Sequence, residues 1–243
     1  MPAEFDDLIQ LYHGQKHLFE QFRNAVVDCF KLEPSLNKAT NPIIHTIKSR
    51  LKDPDHLRDK LRRKSLNPDG EAITLNNVFS RITDLAGIRI LHLHQDQFPK
   101  IHSFINEKVK CTDWVLAEKP TAYSWDPEAA EFFKSFDLEV KIKESYYTSI
   151  HYLVKPRIKA DVCCEIQVRT LFEEIWGEID HVINYPEPTE LKTCKEQLRV
   201  LAKLVSTGTR LADSIFRAHY DAAKTAAEDC IVPSESTKSS TDA

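Results

Sequence analysis

Residues 161–169, DVCCEIQVR, alternate in character along the chain. Val162, Cys164, Ile166 and Val168 fall on one side of an extended segment, with Asp161, Cys163, Glu165, Gln167 and Arg169 on the other. A carboxylate, an amide and a guanidinium at successive positions of one strand face can take a proton, orient a polar group and bind a phosphate oxygen. A polar strand face is most often just a solvated one, so the neighbouring segment matters. In YYTSIHYLV at 146–154, Tyr147, Ser149 and His151 also share a face. Pairing of the two strands would set an aromatic ring and an imidazole beside Glu165. The ring could stack on a base, and the imidazole could donate to a phosphate or a ribose.

Asp84 stands just before Ala86-Gly87, at the start of another alternating stretch, AGIRILHLH. With Glu165 it could hold Mg²⁺, because hard cations take one or two carboxylates together with phosphate oxygens. A basic run, Arg50, Lys52, Arg58, Lys60, Arg62, Arg63 and Lys64, precedes it. Within that run Lys52, His56 and Lys60 recur at intervals of four, the spacing of one helix side, and would suit a polyphosphate clamp. His92 and His94 read as ordinary strand residues.

The elements that must position these groups follow from periodicity. Apolar residues from Leu8 to Phe30 recur at three and four over a helix from Glu4 to about Leu32. Residues 43–64 read as a second helical region, interrupted where Asp53 caps a new helix with Pro54 at its first position. Asn67-Pro68-Asp69-Gly70 reads as a turn, 75–83 as a short helix and 97–109 as a longer one. LEVKIK at 138–143 adds a strand. A helix is expected from Thr170 until Pro186 and Pro188, and another from about Glu190 to Ala227, with Leu198, Leu201, Val205, Leu211 and Ile215 inward. The last residues, 231–243, are too polar to fold.

The chain has 243 residues, 33 Lys and Arg against 37 Asp and Glu, and a formal charge of −4. It is long enough for a full core, and no long uncharged apolar run suggests a membrane span. The acidic start MPAEFDDLIQ is unlike a secretory signal, so a cytoplasmic protein with reduced thiols is expected. None of the six cysteines forms a CxxC pair. Only five glycines occur, in no GxGxxG or P-loop pattern, so a nucleotide would be held by side chains.

RITDLAGIRI, YTSIHYLV and EIQVRTLFEEIWGEIDH, in this order, resemble the synthetase domain of the RelA/SpoT homologues, which make the alarmones ppGpp and pppGpp. The resemblance covers about residues 40–185, and its last motif, E-I-Q-V-R-T followed by W-x3-D-H, is long and specific. It implies an α/β fold: a mixed five-stranded sheet surrounded by helices, similar to nucleotidyltransferases. Residues 1–39 and 186–230 are expected to form helical extensions. The implied reaction is transfer of pyrophosphate from ATP to the ribose 3′-hydroxyl of GDP or GTP, releasing AMP.

By position, the resemblance assigns Asp84 and Glu165 to Mg²⁺, with Glu165 also activating the hydroxyl. Arg50 and Arg89 would sandwich adenine, and Lys52, His56 and Lys60 would contact the ATP phosphates. Tyr147 would stack on the acceptor guanine and His151 would touch its phosphates or ribose, with Lys143, Gln167 and Arg169 also on the acceptor-binding side, while His181 matches without a clear role. Two positions depart from the family. His56 replaces a serine, and the acceptor loop K-P-N-G-Y-x-S-I-H reads Lys143-Glu144-Ser145-Tyr146-Tyr147-Thr148-Ser149-Ile150-His151, with Tyr146 where the glycine stands. The alternatives are a toxin of the same family acting on the tRNA 3′ end or on adenine nucleotides, paired with an antitoxin, and a silent nucleotide-binding module. The terminal helices could build a homo-oligomer, as in small alarmone synthetases.

Overall fold

The computed structural model describes residues 2–65, 72–185 and 187–229. The turn expected at 67–70, the helix stop at Pro186 and the tail at 231–243 lie outside these residues. Helices α1 (Pro2–Leu32), α2 (Pro54–Ser65), α3 (Val78–Arg81), α4 (Phe98–Lys110), α5 (Pro127–Lys134), α6 (Leu171–Asn184) and α7 (Lys192–Asp229) surround one sheet. Its strands are β1 (Thr46–Leu51), β2 (Ala86–His92), β3 (Val115–Leu116), β4 (Thr121–Ser124), β5 (Glu139–Ile142), β6 (Ser149–Lys155) and β7 (Cys164–Thr170).

The sheet is mixed, as expected, but has seven strands rather than five, in the order β1-β2-β7-β6-β4-β5 with β3 on the end of β6. β2 runs parallel to β7 and β4 to β5, and the other pairs are antiparallel. The first half of the basic region corrects the helical expectation: residues 46–51 are an edge strand paired with β2. β-branched Thr46 and Ile47 suit a pleat, and the segment finds in β2 a partner for its backbone groups. Asp53 does cap α2, its carboxylate accepting the Asp55 N–H at 2.9 Å, with Pro54 first in the helix.

Alternation then sorts the sheet into two faces. Ile88, Ile90, Ile150, Tyr152, Ile166 and Val168 are buried on one, in a single core with Tyr12, Phe19, Val26 and Phe30 of α1. Each such side chain contributes about 1.5–3 kcal/mol on leaving water. The opposite face carries the polar set. Lys48, Arg89, Gln167, His151 and Thr121 stand in one register row across five strands, and Arg50, Gly87 and Glu165 in the adjacent one.

α6 begins where β7 ends, because Thr170 and Glu173 form a reciprocal cap: the Glu173 N–H donates to the Thr170 hydroxyl at 3.3 Å and the Thr170 N–H to the Glu173 carboxylate at 2.6 Å. This sharp start lays α6 against β7 and β2. α7 packs on α6 through Trp176, whose indole N–H donates to the Leu198 carbonyl at 3.0 Å. Gly208 permits the approach, since a Cβ there would come within 2.9 Å of the Phe172 ring. Leu198 is inward as expected and Leu201 and Val205 half-buried, but Leu211 and Ile215 face solvent. The helix turns Thr209 and Asp213 inward instead, Asp213 meeting His94 Nδ1 at 2.9 Å. Asp213 lies two residues past Leu211 and therefore nearly opposite it on the helix.

Candidate active site

A cleft of about 170 Å³ opens between the polar sheet face and α6, with Arg50, Asp84, Arg89, Glu165, Gln167 and His181 among its walls. Asp84 enters from the turn before β2, Lys52 reaches it from the connection between β1 and α2, and Lys60 from the middle of α2. Their ammonium groups lie 2.8 and 2.7 Å from its two oxygens. Burial pushes the Asp84 carboxyl up, but Lys60 and Lys52 outweigh it and hold the group at about 2. Burial lowers Lys52 in turn, against the pull of Asp84.

Arg50 lines the cleft on β1 opposite Gly87, whose missing side chain leaves the floor open. Arg89 is turned toward α6, pairing with Glu174 at 3.0 Å and with Glu178. His56 stands apart from this group. It meets Tyr185 edge-on at 5.5 Å, and Tyr185 stacks on His181 at 4.7 Å.

The second half of the site is a closed ring of hydrogen bonds hung on Glu165. An Arg169 N–H donates to the Tyr147 hydroxyl at 2.8 Å, which meets His151 Nε2 at 3.0 Å. His151 Nδ1 meets Glu165 Oε1 at 3.1 Å, and the Gln167 amide donates to Glu165 Oε2 at 2.7 Å. Arg169 closes the ring by donating to the Gln167 carbonyl oxygen. The five bonds of the ring are consistent in direction if His151 carries its proton on Nδ1. Burial raises the Glu165 carboxyl, but the His151 contact and its field more than offset this, so the group stays ionised below its usual range.

The segment 143–151 holds Tyr146 at the position where the family pattern has glycine. Tyr146 has φ 63°, a left-handed conformation costing a non-glycine residue about 1–2 kcal/mol. Its ring does not enter the group around Tyr147 but packs on Trp125 at 5.0 Å and under Arg199 of α7 at 5.6 Å. The Arg169 guanidinium lies 5.2 Å from the Tyr147 ring centroid. Lys143 sits over the Tyr123 ring at 4.7 Å, and Tyr123 meets His151 edge-on at 4.8 Å.

The structure therefore brings Arg50, Lys52, Lys60, Asp84, Arg89, Glu165, Gln167 and His181 to one cleft, adjoins Tyr147, His151 and Arg169 through Glu165, and leaves His56 aside. Three residues escaped the sequence reading. Tyr123 lies on a strand that no periodicity marked. Lys48 alternates with Arg50 and Lys52 only once the segment is known to be a strand. Glu174 falls within the quoted motif and points inward on α6, where it meets Lys48, Arg89 and Arg169.

Asp84 and Glu165 offer ionised oxygen donors on one cleft, the chemistry that Mg²⁺ takes alongside phosphate. A second group, His94, Asp96 and Asp213, brings ligand atoms within 4.8 Å of one another. There Arg217 already pairs with Asp96 at 3.1 Å and His94 with Asp213. A larger cavity of about 240 Å³ lies behind the loop of Tyr146 and Thr148, between α5, α6 and α7. Its Asp126 and Glu128 are likewise paired with Arg210.

GTP pyrophosphokinase YwaC of Bacillus subtilis (strain 168) is 26% identical over 178 residues, covering 71% of this chain and 73% of YwaC. The small alarmone synthetase 1 crystal structure from Bacillus subtilis superposes with a TM-score of 0.62 at 20% identity, over 90% of this chain and 99% of that one. The same synthetase bound to its product pppGpp superposes with a TM-score of 0.61 at 20% identity, over 87% and 96%. These likenesses establish a shared fold. No helix among the described residues is long and apolar enough to cross a membrane. Residues 49–190, more than half of the chain, match the region found in RelA/SpoT proteins, and the chain belongs to that family.

Proposed function

We propose that this chain transfers the β,γ-pyrophosphate of ATP to the ribose 3′-hydroxyl of GDP or GTP, making ppGpp or pppGpp and AMP. One observation carries the reading: Asp84, with two lysines on it, and Glu165, with the Tyr147–His151–Arg169 ring on it, line the same cleft. Triphosphate chemistry needs cations and acids on one side and a positioned hydroxyl with a base on the other. The named function of YwaC and the product-bound synthetase point the same way.

The 3′-oxygen attacks the β-phosphorus, the bond from that phosphorus to the α-phosphate bridging oxygen breaks, and AMP leaves. Asp84 and Glu165 would hold Mg²⁺, which when bound neutralises charge on the triphosphate. Lys52 and Lys60 exchange Asp84 for phosphate oxygens, and Arg50 and Arg89 frame adenine. Glu165 takes the hydroxyl proton, with His151 fixing its orientation. Tyr147 and Tyr123 offer ring faces and edges to the acceptor base, and Lys143 a cation to its phosphates. The exposed apolar residues Ile175, Ile179 and Val182 on α6 and Leu211 and Ile215 on α7 support self-association.

The test is incubation with Mg²⁺ and ATP labelled at the β-phosphate, offering GDP, GTP, ADP, ATP and deacylated tRNA separately. Label on GDP or GTP with stoichiometric AMP is the expected result. Label on tRNA or adenine nucleotides replaces the acceptor in this proposal, and label on none refutes it.

A further inference from the structure

We infer that Glu174 is a positioning residue that locks the donor-side Arg89 and the acceptor-side Arg169 into one rigid arrangement, an inference that rests on the proposed reaction. Its side chain is 5% exposed and lies in the first turn of α6, where a helix N-terminus favours a negative charge. Oε1 accepts from Lys48 at 2.8 Å and from Arg89 at 3.0 Å, while Oε2 faces Arg169 Nη1 at 3.2 Å. Burial raises this carboxyl, but Lys48, Arg169 and Arg89 together hold it below its usual range. Three cations thus converge on one buried anion.

The two arginines serve different halves of the cleft. Arg89 stands on β2 in the register row of Lys48. Arg169 stands on β7, where it donates to Tyr147 and Gln167 and so shapes the ring around Glu165. Their other polar partners differ: Glu178 holds Arg89, while neutral groups hold Arg169. Glu174 is the group they share. α6 also supplies the room, because a Cβ at Gly177 would stand 2.9 Å from Arg169 Nη1. A buried network of this kind could serve stability alone. What separates the roles is that a positioning carboxylate makes the two arginines interdependent in substrate binding.

The experiment measures Michaelis constants for ATP and for the acceptor in E174Q, E174D and the wild type, with thermal unfolding as the check on folding. The expected result is a rise of about tenfold in both constants for E174Q, roughly 1.4 kcal/mol each, with kcat changed less. E174D keeps the charge and should restore both to within about threefold. A second measurement needs no Glu174 variant to fold: R89K, R169K and their double variant. Through the shared carboxylate the double variant should fall short of the product of the single effects by at least about threefold. Independent effects, unchanged constants in folded E174Q, or a rise for one substrate only would each overturn the inference. Wild-type enzyme that transfers no label overturns the proposed reaction and this inference together, whereas active wild type with an unaffected E174Q overturns this inference alone.

Discussion

Replacing Asp84 by Asn should have two opposite effects of the same size. In the folded protein Asp84 titrates at about 2 rather than its ordinary 3.8, because Lys60 and Lys52 outweigh the cost of its burial. A folded-state value below the unfolded one means that the ion pairs stabilise the fold above about pH 4 and that this contribution is lost as pH falls toward 2. The difference corresponds to about 2 kcal/mol. Asn resembles the protonated acid in charge, so D84N should lose about that much stability at pH 7, lowering the melting temperature by about 4–8 °C in a chain of this length. The same energy is what ATP must overcome to draw Lys52 and Lys60 away from Asp84. In EDTA, D84N should therefore bind free ATP more tightly than the wild type, by up to about thirtyfold. With Mg²⁺ present, label transfer should nevertheless fall by at least about a hundredfold, because in the proposed reaction Asp84 is one of the two carboxylates that hold the metal. Calorimetric titration of ATP in EDTA provides the decisive number. Weaker binding by folded D84N would refute the idea that Asp84 and phosphate compete for the same lysines.

Glu165→Gln should abolish label transfer while leaving ATP binding in EDTA within about threefold of the wild type, since its ring faces the acceptor half; near-normal AMP release would remove Glu165 as the base. Tyr146→Gly should relieve about 1 kcal/mol of backbone strain but lose the packing on Trp125 and Arg199, so the acceptor Michaelis constant should change with that for ATP held. Equal changes in both would disconnect Tyr146 from the acceptor loop's function. Burial pushes Glu173 up to about 7, against a usual value of 4.5. A raised acid makes the fold bind more protons than the unfolded chain between these values, so stability falls as pH rises from about 4.5 to 7. Glu173→Gln keeps the helix cap, and its melting temperature relative to wild type should climb across that window; a pH-independent difference would place the titration elsewhere.

The site was legible in the sequence where its residues sit on strict periods. Glu165, Gln167 and Arg169 alternate on β7 beside Tyr147 and His151, and the register that joins them, His151 opposite Gln167, follows from pairing two such strands. Regions between clean periods were not legible. β4 has four residues and β3 two, too short to show a repeat, so Tyr123 went unread. β1 escapes the pattern because the four-residue spacing of His56 and Lys60, real in α2, extends by coincidence to Lys52 across Asp53-Pro54. On α7 the apolar stripe of Leu211 and Ile215 points outward, while Thr209 and Asp213 turn inward to meet partners on the core. Polar residues satisfied by distant partners leave no mark in a hydrophobic pattern.

The placement of Glu174 also explains how so basic a cleft persists in a chain with a net negative charge. Lys52 and Lys60 rest on Asp84, Arg89 on Glu174 and Glu178, and Arg169 on Glu174. Cations gathered for a triphosphate would repel one another in its absence, and the closer to the interior they lie, the less water screens them. Each acid therefore acts as an internal counter-ion, but the two kinds differ in what the substrate does to them. Asp84 is one-fifth exposed and opens to the cleft, so phosphate can displace it from its lysines. Glu174 on α6 is enclosed, and in the proposed reaction it keeps its arginines while the nucleotides come and go. On the proposed reaction, exchange at the first would tune affinity, and permanence at the second would keep the geometry of the two halves fixed while the exchange takes place.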